Sequence, residues 1–236
     1  MKCCIIGLGV FGRNLSRHLN QLGAEVLAID RKDENVTAIK DEVGGAVVMD
    51  FKDSTPLEHL PIAEMDVVVI AIGDDFEDSM AMTVKVQDLG AKQIVCRVLS
   101  PMHERLLRLM KVDRLVIPEE FAARGLAHSL LMRGVVNGFD MGSGHSIIEA
   151  RVPPSLAGKS IAASGDSFKA TGVRLVTIKR LERPRLSVVL RSQTSEEQRR
   201  TLGVIGLDEK FLKDDVFVLF GPEKGLRSFL EFSEGS

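Results

Sequence analysis

Lys2-Cys3-Cys4-Ile5-Ile6-Gly7-Leu8-Gly9-Val10-Phe11-Gly12 decides the reading of this chain. The first five residues are a short apolar run of strand type, and Gly7, Gly9 and Gly12 follow at G-x-G-x-x-G spacing. A helical pattern runs from about Phe11 to Leu22, Gly23 stops it, and Glu25-Val26-Leu27-Ala28-Ile29 predicts a second strand closing on Asp30. Strand, glycine loop, helix, strand and acid together are the full dinucleotide-binding context. Gly7 allows the tight turn, Gly9 keeps side chains away from a pyrophosphate, and Gly12 lets helix and sheet approach. The helix start offers unpaired N–H groups to an anion. Asp30 lies about eighteen residues beyond Gly12, where a carboxylate accepts hydrogen bonds from ribose hydroxyls. Its charge disfavours a 2′-phosphate, so NAD or an adenosine nucleotide is expected rather than NADP, although Arg31 next door weakens the exclusion.

After Asp30 a helix is expected from Asp33 to Val43, a strand over Ala46-Val47-Val48-Met49 closing on Asp50, and a short helix from Ser54 to Leu60 with Ser54 as N-cap. Met65 to Ile72 is a continuous, mostly β-branched run, the pattern of a central strand buried on both faces. It ends at Gly73-Asp74-Asp75. Helices from Phe76 to Leu89 and from Pro101 to Met110 alternate with strands at Gln93 to Arg97 and Arg114 to Ile117. Six strands alternating with helices predict an α/β fold, a doubly wound, Rossmann-like parallel sheet of order 3-2-1-4-5-6, with ligands beyond the carboxyl ends of the strands. Gly7, Asp30, Asp50, Gly73, Arg97 and Glu119 share that edge.

Pro118-Glu119-Glu120 opens a further helix to about Arg133. Asn137-Gly138 and Gly142-Ser143-Gly144 read as a flexible junction. Beyond it, strands are expected at Ser146 to Val152, Arg174 to Lys179, Leu186 to Leu190 and Val216 to Phe220, with helices at Lys159 to Ala163 and Glu223 to Phe232. Arg191 to Thr201 reads as a loop. The division is therefore residues 1–117 as a nucleotide-binding domain, 118–143 as crossover helix and linker, and 144–236 as a small C-terminal α+β domain.

Composition narrows the function. A net charge of −2 with 27% charged residues gives no reason to expect nucleic-acid binding or a polybasic membrane anchor. The longest apolar run, Val67 to Ile72, is far short of the roughly twenty residues of a membrane span. A strand begins almost at once, so no signal peptide is expected, and a cytoplasmic location follows. Cys3, Cys4 and Cys96 fall in strands as buried thiols, without metal-ligand spacing. With no tyrosine in the chain, Ser-Tyr-Lys dehydrogenase chemistry is excluded. His18, His59 and His103 read as surface residues, His128 lies on the helix after the sheet and His145 in the glycine junction. No nucleophile–base pair is visible, and the chain is not expected to be an enzyme.

The strings IIGLGVFG (5–12), VLAID (26–30), VVVIAIGDD (67–75) and VDRLVIPEE (112–120) resemble the RCK/KTN (TrkA-N) domain. IIEARVPPSLAGKSI (147–161), GVRLVTIKR (172–180) and DVFVLFGPEKGLRSF (215–229) resemble the TrkA-C domain. In that order they resemble the cytosolic regulatory subunits of Trk/Ktr-type potassium transport systems. The resemblance implies that the loop Gly7, Leu8, Gly9, Val10, Phe11 and Gly12 holds nucleotide phosphates and that Asp30, with Arg31 beside it, holds the adenosine ribose. It places Asp50 and Phe51 near adenine, Ala71, Ile72 and Gly73 beside ribose and phosphates, and Arg97 near the phosphates. Glu119 matches a family glutamate close to the nucleotide phosphates at the dimer contact, involved in some members with a divalent cation. The implied cofactor is NAD(H) or ATP/ADP. The implied partners are a second copy, a ring, octameric as a rule, and a membrane-embedded potassium transporter subunit beneath which the ring sits. Two departures matter. The arginine of G-x-G-R-F-G in ATP-responsive members is Val10 here, which leaves NAD(H) and AMP open beside ATP and ADP. Ala163-Ser164-Gly165-Asp166-Ser167 replaces the segment that binds cyclic di-AMP in some members, so that ligand is not expected.

Overall fold

A computed structural model describes residues 1–53, 55–182 and 199–234, with side chains to 231. The chain divides into two compact units, Met1–Pro118 and Glu119–Ser236.

In the first unit β1 (Lys2–Ile6), α1 (Val10–Gln21), β2 (Glu25–Asp30), α2 (Asp33–Thr37), β3 (Gly45–Val48), β4 (Val67–Ile70), α3 (Phe76–Asp88), β5 (Ile94–Arg97), α4 (Pro101–Leu109) and β6 (Arg114–Val116) follow one another. The strands form one sheet of order β3-β2-β1-β4-β5-β6. Every pairing is parallel, with β1 matched to β2 from Lys2↔Glu25 and to β4 from Cys3↔Val67. Side chains alternate between faces along a strand. Cys4, Ile6, Val68 and Ile70 therefore enter one core, while Cys3, Ile5, Val67 and Val69 enter another. Both faces are covered, which is why β1 and β4 carry apolar residues at consecutive positions. The buried thiols are held neutral, burial pushing Cys4 up to about 12 and Cys96 to about 11.

Two helices expected here are shorter. The one expected from Asp33 to Val43 stops at Thr37, Ile39 takes φ −130°, and a single 3-10 turn covers Lys40–Glu42. β-Branched Val36 and Thr37 propagate a helix poorly, and burying the whole Ile39 side chain decides the backbone there. The helix expected from Ser54 is a 3-10 segment, Thr55–His59, and Ser54 itself lies outside the described residues.

The second unit contains α5 (Pro118–Leu131), β7 (Val135–Gly142), β8 (His145–Arg151), α6 (Gly165–Thr171), β9 (Arg174–Leu181), β10 (Arg199–Thr201), β11 (Val216–Pro222) and α7 (Glu223–Glu234). Its strands form an antiparallel sheet of order β10-β9-β11-β8-β7. Phe168, Phe211, Phe217 and Phe229 make an aromatic core, with centroids 4.8 Å apart for Phe168 and Phe229 and 4.6 Å for Phe211 and Phe217.

The expected flexible junction is a strand instead. Asn137-Gly138 lies inside β7, paired to Glu149 and Ile148 of β8. Gly138 is there because the helix is close: a Cβ on it would lie 2.8 Å from the His128 Cβ, and one on Gly125 would lie 2.7 Å from the Gly138 carbonyl oxygen. Gly142, Ser143 and Gly144, all at positive φ, form the β7–β8 turn. The helix expected from Lys159 to Ala163 begins later. A 3-10 turn at Ala162–Ser164 leads into α6, which ends on Gly172 at φ 68° and points Phe168 into the aromatic core. Arg199–Thr201, expected within a loop, pairs with Lys179–Leu181. The strand expected at Leu186–Leu190 lies outside the described residues.

Candidate functional site

At the carboxyl ends of β1, β2 and β4, where the strand order reverses, the first unit has a cleft of about 310 Å³. Gly7 and Gly9 form its floor. Gly7 has φ +97°, and a Cβ on it would come within 2.7 Å of the Ile72 backbone nitrogen. A Cβ on Gly12 would lie 1.9 Å from the Gly7 carbonyl oxygen, so this glycine sets the approach of α1 without lining the cleft. Gly9 is different, since a Cβ there meets nothing within 4 Å. The space in front of Gly9 is open and belongs to the cleft.

The start of α1 has no side-chain cap. By contrast, Asp75 caps α3 by accepting from the Asp78 N–H at 3.0 Å, and Ser100 caps α4 by accepting from the His103 N–H at 3.2 Å. First-turn N–H groups without a cap attract an anion. Arg13 from α1 and Arg97 from the end of β5 line the same cleft, as do Arg31 and Lys32 after β2. The Arg97 guanidinium carbon lies 6.0 Å from the Phe11 ring centroid. Gly73 leaves room for it, since a Cβ there would stand 2.2 Å from an Arg97 Nη1.

Asp30 is almost completely buried and holds the loop together. Its Oδ2 accepts from the Leu8 N–H at 2.5 Å, while Oδ1 accepts from the Lys32 N–H at 2.8 Å and from Asn35 Nδ2 at 3.1 Å. Arg31 turns to the acids after Gly73, donating to Asp78 Oδ2 at 2.7 Å and Asp74 Oδ2 at 3.0 Å. Burial, reinforced by Asp75, pushes the Asp78 carboxyl up against the pull of Arg31.

Of the residues expected at the site, the cleft gathers Gly7, Gly9, Val10, Asp30, Arg31, Phe51, Ala71, Ile72, Gly73 and Arg97. Leu8, Phe11 and Gly12 support the loop from behind. Asp50 is exposed outside the cleft, its Oδ1 accepting from the Lys52 N–H. Glu119 belongs to the second unit. Lys32, Asn35 and Asp74 also line the cleft and were not expected there. Their adjacency to Asp30 and Gly73 was the available signal. His103, expected at the surface, is fully buried: its Nδ1 accepts from the Leu99 N–H at 3.2 Å and its Nε2 faces Ser79 Oγ at 3.4 Å. Among the described residues no group of three His, Cys, Asp or Glu is placed to hold a metal ion, and no helix is long and apolar enough to cross a membrane.

Fold and cleft define a Rossmann-type domain with its glycine loop at the topological switch point. The TrkA-N domain model matches residues 3–118. The chain is 30% identical over 176 residues to the Ktr system potassium uptake protein C of Bacillus subtilis (strain 168), an alignment covering 75% of this chain and 79% of that protein. Among solved structures, the GsuK RCK domain superposes with a TM-score of 0.60 at 20% identity, covering all of this chain and 48% of that one. A GsuK channel bound to NAD gives 0.58 at 19%, covering all of this chain and 39% of that one. The chain thus spans under half the length of those solved chains, and at such identity they show the fold alone. The chain belongs to the TrkA-N family.

Proposed function

We propose that the chain is a nucleotide-sensing regulatory subunit of a potassium uptake transporter, with NAD(H) or an adenine nucleotide as the sensed ligand. The observation that carries this is the uncapped start of α1 above an open Gly9, with Arg13 and Arg97 on the same cleft. In this reading the α1 N–H groups and the two arginines bind phosphates, and the exposed part of Asp30 meets the ribose. Phe51 supports the adenine, with Asp50 beyond it, while Ala71, Ile72 and Gly73 wall the opposite side. Arg31 is already paired with Asp74 and Asp78, so a 2′-phosphate meets carboxylates, which favours NAD(H), ATP or ADP over NADP. The GsuK channel bound to NAD supports a dinucleotide.

Regulation requires only that a nucleotide bind one assembly shape better than another. A thousandfold difference supplies about 4 kcal/mol per site. Phe121, Leu126, Leu130 and Leu131 of α5 are exposed in the single chain, which supports burial against a second copy and from there a ring. A divalent cation at Glu119 would need carboxylates from that second copy. The second unit is the TrkA-C-like part in this reading, and the ring sits on the cytoplasmic face of a membrane-embedded transporter subunit. The likeness to a channel's RCK domain over the whole chain keeps a potassium channel or antiporter as the alternative partner. Small-angle scattering of the purified protein, with NADH, ATP and ADP added in turn, tests the mechanism. Ring-sized particles whose profile changes between nucleotides are expected. A profile identical under every nucleotide shown by calorimetry to bind would overturn it.

A further inference from the structure

The second unit has a cavity of its own, about 510 Å³ in volume. Arg133 lies on its rim between α5 and β7, and Arg151 at the end of β8. The turn after β8 adds Val152, Pro153 and Pro154, Lys213 comes from the turn before β11, and Leu230 of α7 closes the wall. Val152, Pro153 and Leu230 are buried apolar residues, whereas Arg133, Arg151 and Lys213 are exposed.

Charge identifies the occupant. Among the described residues three cations line the cavity and no acidic residue does. The buried Asp215, two residues beyond Lys213, is already engaged: its carboxylate accepts from Arg180 at 2.8 and 2.9 Å and from the Leu212 N–H at 2.9 Å. Elsewhere the unit pairs its charges readily, as in Arg180 with Glu209 and Arg124 with Asp140. Among the described residues none of Arg133, Arg151 and Lys213 has such an ion pair. The two segments run side by side, the Arg151 N–H donating to the carbonyl of Gly134, the residue after Arg133, at 2.9 Å. Like charges brought together without counter-charges repel. Two guanidinium forks and one ammonium suit a group with three terminal oxygens and two negative charges.

We propose that this cavity is a second ligand site, separate from the glycine-loop cleft, and that it takes an organic phosphate monoester. The phosphate lies on Arg133, Arg151 and Lys213, and the apolar body of the ligand rests on Val152, Pro153 and Leu230. The site has no part in the reading of the first cleft and stands or falls without it.

Methyl NMR of the full-length protein, with NAD added in excess, tests it with phenyl phosphate as probe. Saturable shifts of the Val152 and Leu230 methyl signals are expected, while Ile72, which lines the first cleft, stays in place. Benzyl alcohol, the uncharged comparator, should give no saturable shift. The double variant Arg151→Gln, Lys213→Gln should weaken phenyl phosphate at least about tenfold, because each lost charge-assisted hydrogen bond is worth that much or more. Arg124→Gln, which lies outside the cavity, should leave it unchanged. The proposal is overturned if the shifts do not saturate by about 10 mM, a concentration at which even a millimolar site is filled. It is equally overturned if the double variant binds as the parent does, or if only Ile72 responds.

Discussion

Replacing Asp30 by Ala should weaken the folded protein even with no nucleotide present. A carboxylate that served only the ribose would be dispensable in the free protein. Here both oxygens are occupied by the chain itself, and the shortest contact, 2.5 Å to the Leu8 N–H, is buried. Truncation leaves that N–H without an acceptor, a penalty of about 1–3 kcal/mol. The Lys32 N–H and Asn35 Nδ2 are only partly buried, so water can replace most of what they lose, adding about 1 kcal/mol. The total is about 2–4 kcal/mol for the first unit. Asp30→Asn should fall below this, since one amide oxygen still accepts while its NH2 faces a donor. Urea unfolding of nucleotide-free protein, followed by far-ultraviolet circular dichroism, measures the loss as a lower midpoint at constant slope. An unchanged midpoint in Asp30→Ala, with nucleotide affinity reduced, would refute the loop-anchor role and return Asp30 to the ribose alone.

Other changes probe neighbouring features. Gly12→Ala puts a Cβ 1.9 Å from the Gly7 carbonyl oxygen and should cost about 1–3 kcal/mol or more by overpacking, read in the same urea titration. Burial lowers the His103 pKa from its ordinary 6.5. The unfolded chain therefore takes up the proton first, and stability should fall as pH drops through 6.5 and level off below the folded pKa. Melting temperatures across that range should show a slope that His103→Gln flattens. Val10 is exposed at the cleft mouth, so Val10→Arg should reach a terminal phosphate and raise affinity for ATP over ADP by about tenfold, measured by calorimetry.

The parts of the fold that could be read from sequence are those whose physics is local. The apolar run Lys2–Ile6, three glycines and a second strand closing on Asp30 specify the central crossover by themselves. Val67–Ile70 is apolar at every position because both of its faces are covered. What was illegible depends on contacts distant along the chain. Arg31 pairs with Asp74 and Asp78, more than forty residues away, so its charge looked available beside Asp30. His103 sits at a helix start where exposure is the ordinary expectation, and only packing against Phe76, with ring centroids 5.2 Å apart, and Ser79 makes it interior. Asn137-Gly138 carries the composition of a junction, yet its glycine answers the closeness of α5 to β7. The helix expected at Lys159–Ala163 lies instead from Gly165, since Gly172 and buried Phe168 fix where α6 can lie.

If an adenine nucleotide occupies the glycine-loop cleft, the ultraviolet spectrum of the freshly purified protein shows it. The chain has no Trp and no Tyr, so bound adenine would dominate the absorbance. The expected result is an adenine band that resolves on extraction to NAD(H), ATP or ADP. It should be missing from Gly9→Asp, whose carboxylate would enter the open space of the cleft while the fold stays intact. A spectrum without adenine, joined to no change in melting temperature when each of these nucleotides is added, would mean that the cleft binds no adenine nucleotide and that the protein is not a nucleotide sensor.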